Sequence, residues 1–323
     1  MTQWAKAVIP GRYKNSRHRL GWGAVITSMT VSLLSVRSAL AAGADSPREL
    51  WAKWQLSPLA LGLCLLALAV YLAGFIRHWR SGGRPSVLRA IAYVGAVALA
   101  YLALQGPFDW LSDQLFWVDR AQHVLLHDCI PILLALSAPV PQLVRGLPRR
   151  MRHPGWPPVL RSAMRRLWSW TQHPVVGPFL FVGVIYVWLA PAALDYASTA
   201  GLGSAVMNAS VLLGGMPFWW LMLDPAPGRV KYGHRIVILW LIMLPQMLIG
   251  FYIMFTSRVL YPSYASFDKG WMSSYLIDQH LGGMVIWMPT IMVSALAAVI
   301  VLRFWMHQDR RGGLSGRVAA SRS

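Results

Sequence analysis

The chain has 323 residues, of which 56% are hydrophobic and only 13% are charged. Soluble domains carry about 25% charged residues, so this composition excludes an ordinary soluble protein and indicates an integral membrane protein. Lys and Arg (30) outnumber Asp and Glu (11), which gives a formal net charge of +19. Cys64 and Cys129 lie in apolar stretches without the spacing of a thiolate metal site or a disulfide framework.

The first 42 residues have the segment order of a secretory signal peptide. Basic residues precede the apolar run 21–34, and Ala39-Leu40-Ala41 follows it, which predicts cleavage after Ala41. Arg37 is unusual in a cleavage region, so an uncleaved N-terminal helix is the alternative. The chain therefore divides into a signal peptide or extra helix (1–42), a transmembrane helix bundle (43–306) and a basic cytoplasmic tail (307–323).

Seven further apolar stretches are long enough to cross a bilayer, which takes about 20 helical residues. They predict an all-α, polytopic membrane helix bundle of about seven transmembrane helices. The predicted helices are Pro58–Ile76, Leu88–Gln105, Asp119–Val144, Val175–Pro191, Ser204–Leu223, Ile236–Thr256 and Tyr275–Phe304. The third contains prolines at 131, 139 and 141, which predict a kink.

The basic residues alternate between the connections. Segments 77–89, 145–174 and 224–235 and the C-terminal tail are rich in Arg and Lys, whereas 106–118 and 192–203 have none. The positive-inside rule places the basic connections in the cytoplasm, with the N-terminus of the mature bundle outside and the C-terminus inside. Because the charge is spread over alternate connections, no nucleic-acid partner is expected, and the lipid bilayer is the predicted surrounding.

The connection 145–174 ends in a segment with helical periodicity. Leu160, Met164, Leu167 and Trp168 recur at i, i+4, i+7 and i+8, with arginines between them. That spacing predicts a short helix at the membrane surface.

Two of the predicted helices open with acid and imidazole groups that a membrane span normally excludes. Asp119, His123 and His127 recur every four residues on one predicted stripe, about 6 Å apart in rise. Asp278 and His280 open the seventh helix, at the same predicted external level. Imidazole binds Cu, Zn, Fe and Ni, and carboxylate can complete such a site. We therefore expect His123, His127, Asp119, His280 and Asp278 to be metal ligands.

Two alternatives stay open for these residues. Asp119 and Asp278 stand where a carboxylate caps or stabilises a helix N-terminus, and a histidine at an interface can bond a carbonyl instead of a metal. The same groups could form a relay in a membrane transporter or proton-coupled channel. The sequence contains none of the common catalytic motifs, so an enzyme is not expected.

Several segments resemble one family, the CtaG-type cytochrome c oxidase assembly proteins. They are AQHVLLHDCIPILLALSAP in the third predicted helix, Tyr-x-Trp-x-x-Pro in the fourth, GGMPFWWLML in the fifth and DQHLGGMVIW at the start of the seventh. The resemblance covers about residues 111–304. It implies a non-enzymatic factor of the bacterial plasma membrane that assists maturation of haem–copper oxidases through copper supply. Cytochrome c oxidase subunits are its implied partners and copper its implied cofactor.

The chain departs from the pattern of that family at several positions. A His-x-x-x-His pair expected in the third helix falls on Asp119 and His123, with His127 additional. A Trp-His pair expected at the end of the fourth helix is Trp188-Leu189, and a histidine expected in the fifth is Asn208. The resemblance thus implies the family scaffold with a rearranged set of candidate ligands.

Overall fold

A computed structural model of the chain describes residues 54, 57–148, 151, 157–199, 202–224, 230–265 and 275–320. All of them belong to one compact unit, Leu50–Ser323. The predicted signal peptide or extra helix, residues 1–42, lies outside the described residues.

The described part of the chain is helical throughout, which confirms the predicted fold class. We number its helices in chain order. They are α1 (Pro58–Arg80), α2 (Val87–Gln105), α3 (Pro107–Ser112), α4 (Phe116–Val124, continued through a π turn, Leu125–Cys129, to Ile130–Ser137), α5 (Val140–Gly146), α6 (Pro158–Thr171), α7 (Val176–Leu189), α8 (Pro191–Thr199), α9 (Gly203–Leu223), α10 (Tyr232–Phe255), α11 (Pro262–Ala265) and α12 (Tyr275–Ala320).

The chain is a multi-pass membrane protein. Five of the described helices, α1, α2, α9, α10 and α12, are long and apolar enough to cross a bilayer, and the number rises to seven if each of two bent pairs is one span. The bent pairs are α4 with α5 and α6 with α7. Many large apolar side chains on these helices are exposed, as expected where lipid surrounds the protein.

The ends of the predicted third span need correction. It starts at Phe116, three residues earlier than predicted, and it does not run unbroken to Val144. Ala138 adopts a left-handed conformation (φ 43°) immediately before Pro139, and α5 leaves α4 at an angle of 70°. A proline cannot continue the backbone hydrogen bonding of a helix, which explains the break at this point. At the other end of the bundle, α12 continues to Ala320 and covers most of the predicted tail.

Small residues allow the helices to approach closely. Gly283 on α12 faces the backbone of α10, where an added Cβ would lie 2.7 Å from the Met254 nitrogen. Gly215 on α9 packs in the same manner against the carbonyl group of His127 on α4. Glycines at such positions bring membrane helices into backbone contact. These contacts hold α12 against α10 and α9 against α4.

Candidate functional site

The π turn of α4 contains His127 and Asp128, both almost fully buried. A π turn adds one residue to the helical repeat and leaves backbone groups without their regular partners. The carbonyl oxygen of His127 accepts a hydrogen bond from the indole Nε1 of Trp219 on α9 at 3.1 Å. The same Nε1 lies 3.2 Å from Asp128 Oδ1. His123 and His127 nevertheless lie on one face of α4, since both line one cavity, so the predicted stripe brings the two imidazoles together across the π turn.

The turn opens onto a small internal cavity of about 30 Å³. His123, His127, Asp128 and Arg120 from α4 line it on one side. The rest of the wall is mainly apolar and comes from α4, α7, α9 and α12, with the residues Val124, Ile185, Trp188, Leu189, Val211, Ile286 and Thr290. A cavity of this size holds about two water molecules, so a metal ion with a single additional ligand would also fit.

Each of the two imidazoles has a carboxylate near one of its nitrogens. His123 Nδ1 lies 3.6 Å from Asp119 Oδ1, and His127 Nδ1 lies 3.8 Å from Asp128 Oδ1. Both distances exceed a hydrogen bond but fall within the range of an ion pair. Metal-binding histidines commonly carry a carboxylate on the nitrogen that does not face the metal, and it fixes the tautomer and the ring orientation.

All four ring nitrogens of His123 and His127, Nε2 as well as Nδ1, are buried and have no hydrogen-bond partner among the described residues, and no carboxylate lies near the two Nε2 atoms. The His127 ring stacks on the Phe181 ring with centroids 4.0 Å apart, which holds it in place without satisfying either nitrogen. A buried polar atom without a partner is costly, so each such atom in a folded protein calls for an explanation. A ligand in the adjoining cavity would provide one.

The two charged side chains that line the cavity, Arg120 and Asp128, have different partners. The Arg120 guanidinium bonds the Asp119 carboxylate, and both side chains are buried. The Arg120 guanidinium also lies 5.1 Å from the centroid of the Phe116 ring, within the range of a cation–π interaction. The Phe116 ring also stacks on the Tyr261 ring, with centroids 4.3 Å apart. Asp128, in contrast, has the indole of Trp219 and the ring of His127 as its polar neighbours.

The structure places Asp278 and His280 apart from the lining of this cavity. The two carboxylate oxygens of Asp278 accept hydrogen bonds from the backbone nitrogens of Phe116 and Trp117, each at 3.0 Å. Asp278 therefore caps the N-terminus of α4 from a position 162 residues away in the chain. His280 Nε2 lies 3.1 Å from the carbonyl oxygen of Thr256 and donates to it. These are the capping and carbonyl-bonding roles that the sequence left open as alternatives.

Two glutamine side chains connect α12 and α4 to short neighbouring segments. Gln279 donates from Nε2 to the Arg258 carbonyl and accepts from the Leu260 nitrogen, which fixes the turn after α10. On α4, Gln122 donates from Nε2 to Asp109 of α3 at 2.9 Å. Burial raises the pKa of Asp109 to about 6, and the carboxylates of Asp113 and Asp119 add to this rise while the bond from Gln122 opposes it.

Asp128 was not among the metal ligands expected from the sequence, yet the structure places it in the wall of the cavity. The expected stripe of one residue every four was too narrow, because the face of a helix that lines a cavity also includes neighbours at i+3, i+4, i+7 and i+8, and Asp128 is eight residues after Arg120 on that face.

The described residues contain no group of three or more His, Cys, Asp or Glu side chains arranged to hold one metal ion. The donors that do face one cavity are the imidazoles of His123 and His127, with Asp128 beside them. Two imidazoles suit copper better than a harder ion such as Mg²⁺, which prefers oxygen ligands. The residues present thus fit a weakly coordinated soft or borderline cation.

The comparisons with known proteins decide the family. The model of the cytochrome c oxidase caa3 assembly factor family (Caa3_CtaG) matches residues 69–308. The chain belongs to this family. This confirms the resemblance seen in the sequence, and the family is named for assembly and not for catalysis.

Two mycobacterial relatives extend the match. The chain is 31% identical to an uncharacterized protein of Mycobacterium leprae over 266 residues, and 32% identical to one of Mycobacterium bovis over 268 residues. Each alignment covers 80% of this chain but only 40% of the relative, so the chain spans well under half the length of these relatives. No solved structure gives a significant match.

One departure from the family pattern lies in the cavity wall itself. Leu189, at the end of α7, stands where the resemblance leads us to expect a histidine, and it lines the same cavity as His123 and His127. Asn208, where a further histidine is expected, is not among the residues that line it.

Proposed function

We propose that this family member assists the assembly of a haem–copper oxidase by holding a copper ion between His123 and His127 and passing it to an oxidase subunit. Membership in the caa3 assembly factor family supports the general role. The observation that supports the copper site is the pair of buried, unpartnered Nε2 atoms beside one cavity, each on a ring whose Nδ1 faces a carboxylate.

The proposed ligands are the two Nε2 atoms, with Asp119 and Asp128 as the groups that orient the rings. A cation entering a cavity with mainly apolar walls needs a negative charge nearby, because an isolated buried charge is costly. Asp119 is already paired with Arg120, so Asp128 is the carboxylate that would balance the metal. Asp278 and His280 support the scaffold around the site in this proposal, since their polar atoms bond the backbone.

A site with two protein donors matches a protein that transfers its metal. Structural metal sites are closed by four ligands, whereas an open coordination position is available to another molecule. With two imidazoles, a donor group of the recipient could complete the coordination and draw the ion away. We propose that the recipient is a subunit of the oxidase and that the cavity faces the outside of a bacterial plasma membrane, as the charge pattern predicts.

Copper bound to the purified chain tests the proposal. The protein is loaded with copper in detergent, passed through a desalting column and assayed for copper per polypeptide. We expect bound copper in the wild type and its loss in the His123→Ala/His127→Ala double variant. The matched control is His234→Ala/His307→Ala, which removes two exposed imidazoles and should keep the wild-type copper content. Equal copper in the wild type and the His123/His127 variant would refute the site.

The assembly role has its own test. A strain that lacks the protein is complemented with each variant, and oxidase activity is measured together with the copper content of the oxidase. The His123/His127 variant should restore neither, while the His234/His307 control restores both. If the His123/His127 variant restores an active, copper-containing oxidase, the protein supports assembly without carrying copper.

A further inference from the structure

Most residues of helix α6 (Pro158–Thr171) are exposed, and none of them is buried. It belongs to the bent pair with α7 and makes an angle of 82° with that helix. Because α7 is a mainly apolar helix in a membrane bundle, a helix at nearly a right angle to it runs parallel to the membrane plane. The neighbouring bilayer is therefore the natural cover for α6.

The side chains of α6 divide into two faces. Successive residues of an α-helix are about 100° apart, and on this spacing Val159, Leu160, Met164, Leu167 and Trp168 occupy one half of the circumference. All five are exposed, with Val159 77% and Leu167 64% accessible. An exposed apolar face of this kind is stable in water only when a second surface covers it.

The opposite half of α6 carries positive charge. Arg161, Arg165 and Arg166 lie on it or at its borders, and the helix contains no acidic residue. The Nε of Arg165 donates to the carbonyl oxygen of Arg161. Arginines at the two borders can extend toward the level of the phosphates while the apolar half enters the acyl region.

The end of α6 is attached firmly to the bundle. Gln172, which follows its last residue, donates from Nε2 to the carbonyl oxygen of Pro217 on α9 at 2.9 Å. Trp168 meets Trp220 edge to face, with ring centroids 6.1 Å apart. The helix thus keeps a fixed position relative to α9, and its arginines are presented at one level.

We propose that α6 is a binding surface for anionic phospholipids, with Arg161, Arg165 and Arg166 holding the phosphate-bearing headgroups. Guanidinium groups form charge-assisted hydrogen bonds with phosphate oxygens, and several basic residues at one level favour an anionic over a zwitterionic headgroup. The amphipathic pattern, the perpendicular orientation and the absence of acid on the helix together favour a lipid surface over a protein partner.

Cross-linking with a photoactivatable phosphatidylglycerol tests this surface. The full chain is placed in nanodiscs of phosphatidylcholine with a minor fraction of the probe, illuminated, and mapped by mass spectrometry. In the wild type we expect cross-links on residues 158–171 that an excess of phosphatidylglycerol displaces and an excess of phosphatidylcholine does not. Each arginine contributes roughly fivefold in affinity, so Arg161→Gln/Arg165→Gln/Arg166→Gln should bind the probe here about 100-fold more weakly.

Two further variants separate lipid binding from general effects. Arg80→Gln/Arg84→Gln/Arg89→Gln removes the same charge from exposed arginines of α1 and α2 and their connection, and it should leave the cross-links on α6 unchanged. Arg161→Lys/Arg165→Lys/Arg166→Lys keeps the charge and should retain most of them. Equal competition by the two lipids, or an equal loss in both glutamine variants, would overturn the proposal. The proposal would also be overturned if the α6 glutamine variant kept its lipid cross-links but lost a co-purifying oxidase subunit. That result would assign the surface to a protein partner.

Discussion

The indole nitrogen of Trp219 donates a hydrogen bond to the carbonyl oxygen of His127, 92 residues earlier in the chain. The bond satisfies a backbone oxygen within the π turn of α4, and the same indole reaches the Asp128 carboxylate. A π turn inside a membrane helix needs such a partner, since no water is present in the bilayer core to replace it. Trp219 therefore stabilises the conformation that places His127 and Asp128 at the cavity.

Replacement of Trp219 with Phe tests that relationship. Phe keeps an aromatic ring in the same fully buried position but has no N–H, so the His127 carbonyl and the Asp128 carboxylate lose this donor. Loss of a partner by buried acceptors costs about 1–3 kcal/mol of stability. Thermal unfolding in detergent should show a midpoint lower by several degrees. Trp240→Phe, at a position that is 63% exposed, is the control and should change stability by less than about 0.5 kcal/mol.

The contact between α9 and the π turn also depends on Gly215. A Cβ added there would overlap the carbonyl oxygen of His127 and lie 3.0 Å from its carbonyl carbon. Gly215→Ala should therefore separate the helices and destabilise the protein by about 1–3 kcal/mol, the usual cost of overpacking. Gly95→Ala on α2 is the matched control, because nothing lies within 4 Å of its added Cβ. That change should stabilise α2 by about 0.5–1 kcal/mol, so opposite signs are expected in thermal unfolding.

Most of the fold follows from the sequence, because a span needs only a long apolar run. The helices around Leu88–Gln105 and Ser204–Leu223 begin within one residue of their predicted starts and end at the predicted residues. The break at Ala138 was predicted only as a kink, since proline shows where a helix is disturbed but not by what angle. The wide angle between α6 and α7 depends on tertiary contacts such as that of Gln172 with Pro217, which leave no local pattern.

The candidate site was predictable only in part. His123 and His127 are brought to one cavity, as the sequence indicated, but through a π turn that the every-four pattern does not show. Asp278 could bind a metal or cap a helix, and the sequence alone does not distinguish these because both roles need a carboxylate near a helix start. The long-range hydrogen bonds to Phe116 and Trp117 decide where it lies.

The cavity wall at Leu189 offers a gain-of-function prediction. Leu189 lines the cavity together with His123 and His127, and it stands where the resemblance to the family leads us to expect a histidine. Leu189→His should add a third imidazole and tighten copper binding by about tenfold or more. Residues that contact only the ligands of a metal already change its affinity by about 10- to 100-fold. Competition with a chelator of known affinity measures the change. Leu189→Gln has similar polarity but no imidazole and should leave the affinity at or below that of the wild type.

Asp278→Asn distinguishes a helix cap from a metal ligand. The amide keeps the shape of the side chain but has one acceptor oxygen and no charge, so one of the two backbone bonds at the start of α4 is lost. Loss of a cap costs about 1–2 kcal/mol, and the charge that favours the helix N-terminus is lost with it. We expect a lower unfolding midpoint with unchanged copper per polypeptide. A fall in copper as large as that of the His123/His127 variant would instead support the ligand role predicted for Asp278.

The carboxyl of Asp109, in the short helix α3 between two spans, predicts how stability depends on pH. Its pKa is raised from 3.8 to about 6, chiefly by burial, so the folded protein holds this proton more tightly than the unfolded chain. Stability should therefore fall as pH rises from about 4 to 6, because ionisation at the buried position is unfavourable. With allowance for partial exposure, the loss amounts to about 1–2 kcal/mol. Asp109→Asn keeps an acceptor for Gln122 but does not ionise. The unfolding midpoint of this variant should therefore fall less between about pH 4 and 6 than the midpoint of the wild type. An identical pH dependence in the two proteins would mean that Asp109 is not the group responsible.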